Sequence, residues 1–329
     1  MIHEIRNTYL KDFGNNLKLV GFANLFVLLL LGILAYIISI IDPAFDALFL
    51  ALIFGIFFGI IYTDERKKLV VERSLKFLLP IGITFYGVNI NFPYLSYLPI
   101  KVVILTLFFA SLMGIIILLL ARKFGVSKNL ALLLACGTSI CGVSAIAILS
   151  PLVNPKKDEF SAAIIIITVV GLTGAMLYPM IGYLLSLPPD TYALLSGATL
   201  HQTGLVKIAS KPFGSKVVME ALAIKGVRIA MIALVALIVS IIYSEYKFYV
   251  PWYIGSFLIV ALFSSLYLPN IVVSVLRPIS TIAFSITLAS IGFTVNVKQI
   301  QRVRLTPLIL SYIGWFCSVV IFVLVGGKL

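Results

Sequence analysis

Runs of about 20 apolar residues recur along nearly the whole chain, each long enough to cross a bilayer as a helix. Hydrocarbon offers no water to a backbone N–H or C=O, so a spanning segment must satisfy its own hydrogen bonds. The runs are continuous rather than alternating, which excludes a transmembrane β-barrel. Apolar residues fill 61% of the 329 positions and charged residues only 11%, with a mean hydropathy of +1.16. A soluble domain carries about a quarter charged residues, so a soluble fold is excluded too. The expected class is an all-α polytopic membrane protein with about 9–11 transmembrane helices.

Apolar segments fall at about 19–41, 44–62, 74–90, 100–121, 129–150, 160–185, 191–210, 217–243, 251–268, 271–292 and 304–326. Residues 1–18 are polar and mixed in charge. They read as a cytoplasmic segment, either a solvated tail or a surface helix carrying Ile2, Ile5, Tyr9, Leu10 and Phe13. Residues 19–329 read as a single transmembrane domain. The first run has full spanning length and lacks a cleavage-site pattern, so it is expected to be retained rather than cleaved as a signal peptide.

A net charge of +13 would suggest nucleic acid in a soluble chain. Here the excess sits in short loops at 63–76, 122–128 and 298–304, where it reports topology. The expectation is a multi-pass protein of the cell membrane with its N-terminus in the cytoplasm and no nucleic-acid partner. Cys136, Cys141 and Cys317 lie in apolar stretches without metal-ligand spacing, so no disulfide, metal or cofactor is expected. A Gly-x4-Gly-Lys-Ser/Thr loop, the mark of an ATPase, does not occur.

Two internal echoes organise the segments. Gly87–Asn91 recurs 205 positions later as Gly292–Asn296, and Phe58 and Tyr62 fall on Phe263 and Tyr267 in the same register. Gly137-Thr-Ser-Ile-Cys-Gly recurs 60 positions later as Gly197-Ala-Thr-Leu-His-Gln. The pseudo-repeats are about 44–185 and 190–326. If every segment crosses, the first echo pairs inverted helices and the second pairs parallel ones. Were segments five and seven re-entrant hairpins from opposite faces, every pair would be inverted, and Lys156–Lys157 would join the other basic loops. The rival arrangement is eleven crossings with segment five a broken helix.

Three constellations could carry chemistry. Gly137, Thr138, Ser139, Cys141, Gly142 and Ser144 interrupt apolar sequence, and a half-helix starting near Gly142 would aim its N-terminal amides into the gap. Small residues also pack helices together, which is the simpler reading of the same stretch. Thr199, His201, Gln202 and Thr203 form the matching break. His201 titrates nearest neutrality and is the coupling candidate, unless it is an ordinary interior histidine. Lys225 and Arg228 lie three apart on one helical face well inside segment eight, where a cation needs a partner or a role unless it snorkels to the surface. Lys207 and Arg277 are similar but nearer segment ends. None of the twelve acids lies mid-segment; Asp46 and Glu220 come closest. Cations, hydroxyls and helix N-termini without carboxylates point to an anionic substrate.

These motifs resemble the sulfate exporter (YeiH-type) family of conserved hypothetical membrane proteins. The similarity runs through Gly137-Thr-Ser-Ile-Cys-Gly-Val-Ser-Ala-Ile, Leu177-Tyr178-Pro179, Gly197-Ala-Thr-Leu-His, and Ala223-Ile-Lys-Gly-Val-Arg. The family usually has an acid after the histidine, where this chain has Gln202. That family is grouped with the cation–proton antiporter and anion transporter superfamily, and the resemblance implies inverted five-helix repeats, two discontinuous helices at the midplane and elevator-like movement of a core.

The resulting expectation is a secondary active transporter of a small anion, sulfate or a sulfur-containing organic anion, working by alternating access. The twelve residues from Gly137 to Arg228 named above would hold the anion. A proton or sodium ion would be the coupling ion, and a homodimer is a candidate assembly. The competing readings are a passive anion channel, a cation- or proton-coupled carrier of another solute, and an intramembrane enzyme using Cys141 and His201.

Overall fold

The fold comes from a computed structural model, and the structure describes residues 24–42, 45–62, 74–90, 98–243, 252–293 and 305–326. The 1–18 segment lies outside the described residues, as do Asn91, Asn296 and most of the basic loops at 63–76 and 298–304. All regular elements among the described residues are helical. In chain order they are α1 (Asn24–Ile41), α2 (Ala47–Ile61), α3 (Leu79–Tyr86), α4 (Ile100–Lys123), α5 (Lys128–Ser139), α6 (Val143–Val153), α7 (Lys157–Leu184), α8 (Pro189–Thr199), α9 (Thr203–Ser210), α10 (Ser215–Tyr243), α11 (Trp252–Leu266), α12 (Asn270–Phe293) and α13 (Thr306–Gly326). Helices α1, α4, α7, α10, α12 and α13 are long and apolar enough to cross a bilayer by length and composition.

Segments five and seven do not cross. An unbroken helix from Lys128 to Val153 would hold its ends roughly 35–40 Å apart. Instead the Ser127 hydroxyl, at the start of α5, donates to the carboxylate of Glu159, just beyond the end of α6. Helices α5 and α6 are therefore the two arms of a hairpin that returns to the face it entered from. The second pair closes likewise. Tyr192, in the first turn of α8, donates to the Ala209 carbonyl at the end of α9 (2.6 Å) and stacks on Phe213 at 3.8 Å.

Helix α7 works as a ruler for both hairpins. Its 28 residues span about 42 Å. Glu159 at its start holds the base of the first hairpin. Tyr183 at its end stacks on Phe213, at the base of the second, at 4.7 Å. Thr168, near its middle, meets the second hairpin's tip through Gln202 at 3.3 Å. The hairpins thus enter from opposite faces and meet tip to tip. This corrects the eleven-crossing arrangement and the superfamily expectation of discontinuous crossing helices.

The repeat register holds at the level of elements. Helices α2 and α11 have 15 residues each and begin 205 positions apart. The hairpin turns, Ile140–Gly142 and Leu200–Gln202, lie 60 positions apart. Gly142 has φ +73°, a conformation only glycine adopts without strain. A Cβ there would sit 2.6 Å from the side chain of Gln202, its own repeat counterpart.

Two helical groups result. Helices α2, α3, α11 and α12 pack on one another and take α1 along the Ile286 side of α12. Helices α4 to α10 pack with α13 around both hairpins. Contacts across the boundary are few: α2 against α6 and α7, α12 against α7, and α11 against α10. Within the first group α2 and α12 touch backbone to backbone. A Cβ on Gly55 would lie 2.1 Å from the Ala289 carbonyl oxygen, and one on Gly292 would lie 2.3 Å from that of Leu52.

Two outcomes test this architecture. A membrane-impermeant maleimide should label Phe124→Cys and Lys156→Cys from one side and Lys211→Cys from the other. Labelling of Lys156→Cys from the Lys211 side would restore the crossing helix. Gly55→Ala should lower the thermal unfolding temperature in detergent, at an overpacking cost of about 1–3 kcal/mol.

Candidate functional site

A half-helix ending in mid-membrane leaves carbonyls without partners and a partial negative charge at its C-terminus. Two such ends, those of α5 and α8, meet here. Lys225 and Arg228 on α10 lie against both and are fully buried. The Lys225 ammonium donates to the carbonyls of Ile140 (2.8 Å), Leu200 (2.7 Å) and His201. Arg228 donates from Nε to Ser139 (2.8 Å), from Nη2 to Thr138 (2.6 Å), and from Nη1 to Leu200 (2.6 Å) and Gly197 (3.4 Å). All three ammonium hydrogens are engaged, and the guanidinium fork spans both hairpins. The cations bolt the tips together and are spent on carbonyls.

The other ends of the breaks are arranged differently. Helices α6 and α9 begin at the tips, after Gly142 and Gln202, and neither has a side-chain N-cap. Both first turns open into one cavity of about 450 Å³. The tips contribute Cys141, Ser144, Gln202, Thr203 and Gly204 to its wall, and α10 contributes Leu222, Gly226 and Ile229. The opposite wall comes from the other helical group, with Asp46, Tyr86 and Arg277. The Tyr86 hydroxyl reaches across to the Cys141 sulfur at 3.6 Å. A crevice of about 190 Å³ follows the same boundary beside the base of the first hairpin, between Leu79, Tyr253 and Ile291 on one side and Asn154 and Phe160 on the other.

Of the expected residues, the cavity brings together Cys141, Ser144, Gln202 and Thr203. Gly142 forms the tip-to-tip contact. The rest stand behind the tips. Thr138 is fully buried, and its hydroxyl has no partner among the described residues. Ser139 bonds the Ala135 carbonyl (2.6 Å) and faces a separate groove between α4, α5 and α10. Thr199 shares a hydrogen bond with Tyr178 (2.6 Å), which also accepts from Trp315 (2.9 Å). His201 is fully buried with its ring 6.5 Å from that of Trp315, and neither ring nitrogen has a partner among the described residues. Gly137 lies in the first hairpin's entering arm.

Gln202 occupies the position where an acid was expected. Its amide nitrogen lies 3.3 Å from the Thr168 hydroxyl, and its oxygen is buried without a partner among the described residues. A half-turn about the last torsion lets the oxygen accept from Thr168 and leaves the NH2 free to donate. Sequence reasoning did not find Tyr86 at the site. It sits one residue before Gly87, the glycine that opens the 205-residue echo, and that position was its only sequence signal.

The fold and site define a multi-pass helical membrane protein built around two opposed re-entrant hairpins. The chain belongs to the family described as conserved hypothetical protein 698, whose model matches residues 23–311. It is 59% identical over 304 residues to a UPF0324 membrane protein of Archaeoglobus fulgidus, covering 92% of each chain. A UPF0324 membrane protein of Bacillus cereus is 30% identical over 76% of this chain and 77% of its own length. The UPF0324 inner membrane protein YeiH of Escherichia coli is 26% identical over 72% of each. No solved structure matches the chain.

Removing either cation orphans several buried carbonyls at about 1–3 kcal/mol for each. Lys225→Met and Arg228→Met should therefore unfold at clearly lower temperature in detergent. Arg228→Lys should not restore stability, because an ammonium has three hydrogens and no planar fork for the four carbonyls that Arg228 holds. Unchanged thermal stability in Arg228→Met would refute the bolt.

Proposed function

We propose that this protein is a secondary active transporter of a small anion. The observation that carries the reading is the convergence of two half-helix N-termini, one from each hairpin, on a single cavity at the boundary between two helical groups. Such ends carry partial positive charge and amides outside the helix's own ladder, the usual backbone device for holding an anion, and at α6 the Ala145 amide turns to the Cys141 sulfur. Ser144 and Thr203 add hydroxyls, and Gln202 adds a buried amide with an unused hydrogen-bonding atom. The matching negative ends are neutralised by Lys225 and Arg228, so the pair favours anions indirectly by holding the tips rather than by touching cargo.

Thin contact across the boundary, and hollows along it, fit alternating access by movement of the hairpin-bearing group against α1–α3, α11 and α12. With the first hairpin re-entrant, Arg122, Lys123, Lys128, Lys156 and Lys157 share one face, which the positive-inside rule assigns to the cytoplasm. Sulfate and small organic sulfonates are the candidate cargo. A proton or sodium ion is the coupling candidate, and no enzymatic step is proposed.

Proteoliposomes should accumulate labelled sulfate or a small sulfonate against an imposed ion gradient. A hydrogen bond to a charged group is worth about 1.5–3 kcal/mol, so Ser144→Ala, Thr203→Ala and Gln202→Leu should each weaken apparent affinity by roughly 10- to 100-fold. No uptake of any anion in a broad panel would refute the reading. Flux that follows only the anion's own gradient would make the protein a channel.

A further inference from the structure

The anion cavity holds an acid. Asp46 precedes α2 and lines the same wall as Tyr86 and Arg277, facing the two hairpin tips. Its carboxylate already has a local task as the N-cap of α2, accepting from the Phe49 amide at 2.8 Å. That task does not require a charge, since asparagine and serine cap helices about as well. Nor does it explain why an anion cavity should carry a carboxylate, which repels an anionic cargo when ionised.

We infer that Asp46 is the proton-binding site that couples anion movement to protons, and that cargo binds with Asp46 protonated. The inference rests on the anion reading of the cavity above. Protonation leaves the α2 cap in place and removes the one fixed negative charge among the cavity's lining residues. By linkage, an anion bound beside Asp46 raises the affinity of its carboxylate for a proton, and the proton raises the affinity for the anion by the same factor.

The other groups facing Asp46 leave it this role. Helix α12 presents the Arg277 guanidinium, an opposite charge on the same wall. Helix α3 presents the Tyr86 phenol and the first tip presents Cys141, joined to each other by a hydrogen bond. Helix α9 shows Thr203, Gly204 and Leu205, and α10 shows Leu222, Gly226 and Ile229, none of which titrates. Asp42 lies past the end of α1 and is not part of the wall. His201, the coupling candidate from sequence, is sealed behind the tips and does not reach the cavity.

The test measures sulfate and methanesulfonate binding to the purified full chain from pH 4.5 to 8.5, with proton uptake followed by a pH dye inside proteoliposomes. For wild type the apparent Kd should rise with pH, by up to about tenfold per unit above the titration of Asp46. Asp46→Asn and Asp46→Ser keep the cap and should unfold near the wild-type temperature. Both should bind the anion with little pH dependence, and anion-driven proton uptake should vanish. A wild-type Kd that does not change with pH, or a pH dependence and proton uptake that persist in both variants, overturns the inference while anion binding stands. Absence of binding by either anion at every pH overturns the anion reading and the inference together.

Discussion

Everything in the membrane centre depends on how two buried cations meet the carbonyl ends of two half-helices. On insertion scales a lysine or arginine at that depth costs about 2.5–3.5 kcal/mol. The open ends of α5 and α8 would cost at least as much, because several carbonyls would face hydrocarbon. Lys225 and Arg228 cancel both penalties, with seven hydrogen bonds between them. Once the carbonyl ends are fixed, the tips have little freedom, and α6 and α9 must start where they do. The cavity is shaped by a contact that does not line it.

Much of this was legible because polar residues are conspicuous in an apolar chain. The breaks at 137–144 and 197–204 stood out for that reason, and the 60-residue register paired them correctly down to Gly142 against Gln202. The anion proposal likewise starts from the sequence, since the acids are absent from the segment interiors. The depth and direction of each residue were not. Composition could not tell whether Lys225 faces cargo or carbonyls, because both satisfy the same charge. Segment length could not separate a hairpin from a crossing, since 129–150 is long enough for either. The deciding evidence is the link from Ser127 to Glu159, which requires the chain to turn back. Asp46, Tyr86 and Arg277 reach the cavity from distant segments, and only packing brings them there.

The pseudo-symmetry is incomplete in an informative way. Sixty positions before Lys225 and Arg228 stand Ile165 and Thr168. One repeat supplies both cations, and the other supplies a hydroxyl that meets Gln202. The hairpins are alike in backbone but not in how they are held. The Cys141 turn of the first reaches toward Tyr86, across the group boundary, while the His201 turn of the second is walled in near Trp315. The two tips therefore offer unequal chemistry to the two helical groups.

The contact between α2 and α12 bears on which part of the molecule can move. Side chains normally give packed helices a deformable layer that can repack when they slide. Gly55, Gly59 and Gly292 remove that layer, leaving peptide planes in direct contact. Sliding by one residue would drive a neighbouring Cβ into a carbonyl, so the pair has a single registry and a high barrier to leaving it. In mechanical terms it is a stator. In the proposed transport cycle, displacement would then fall to the hairpin-bearing group, which carries both tips and their cations as one rotor.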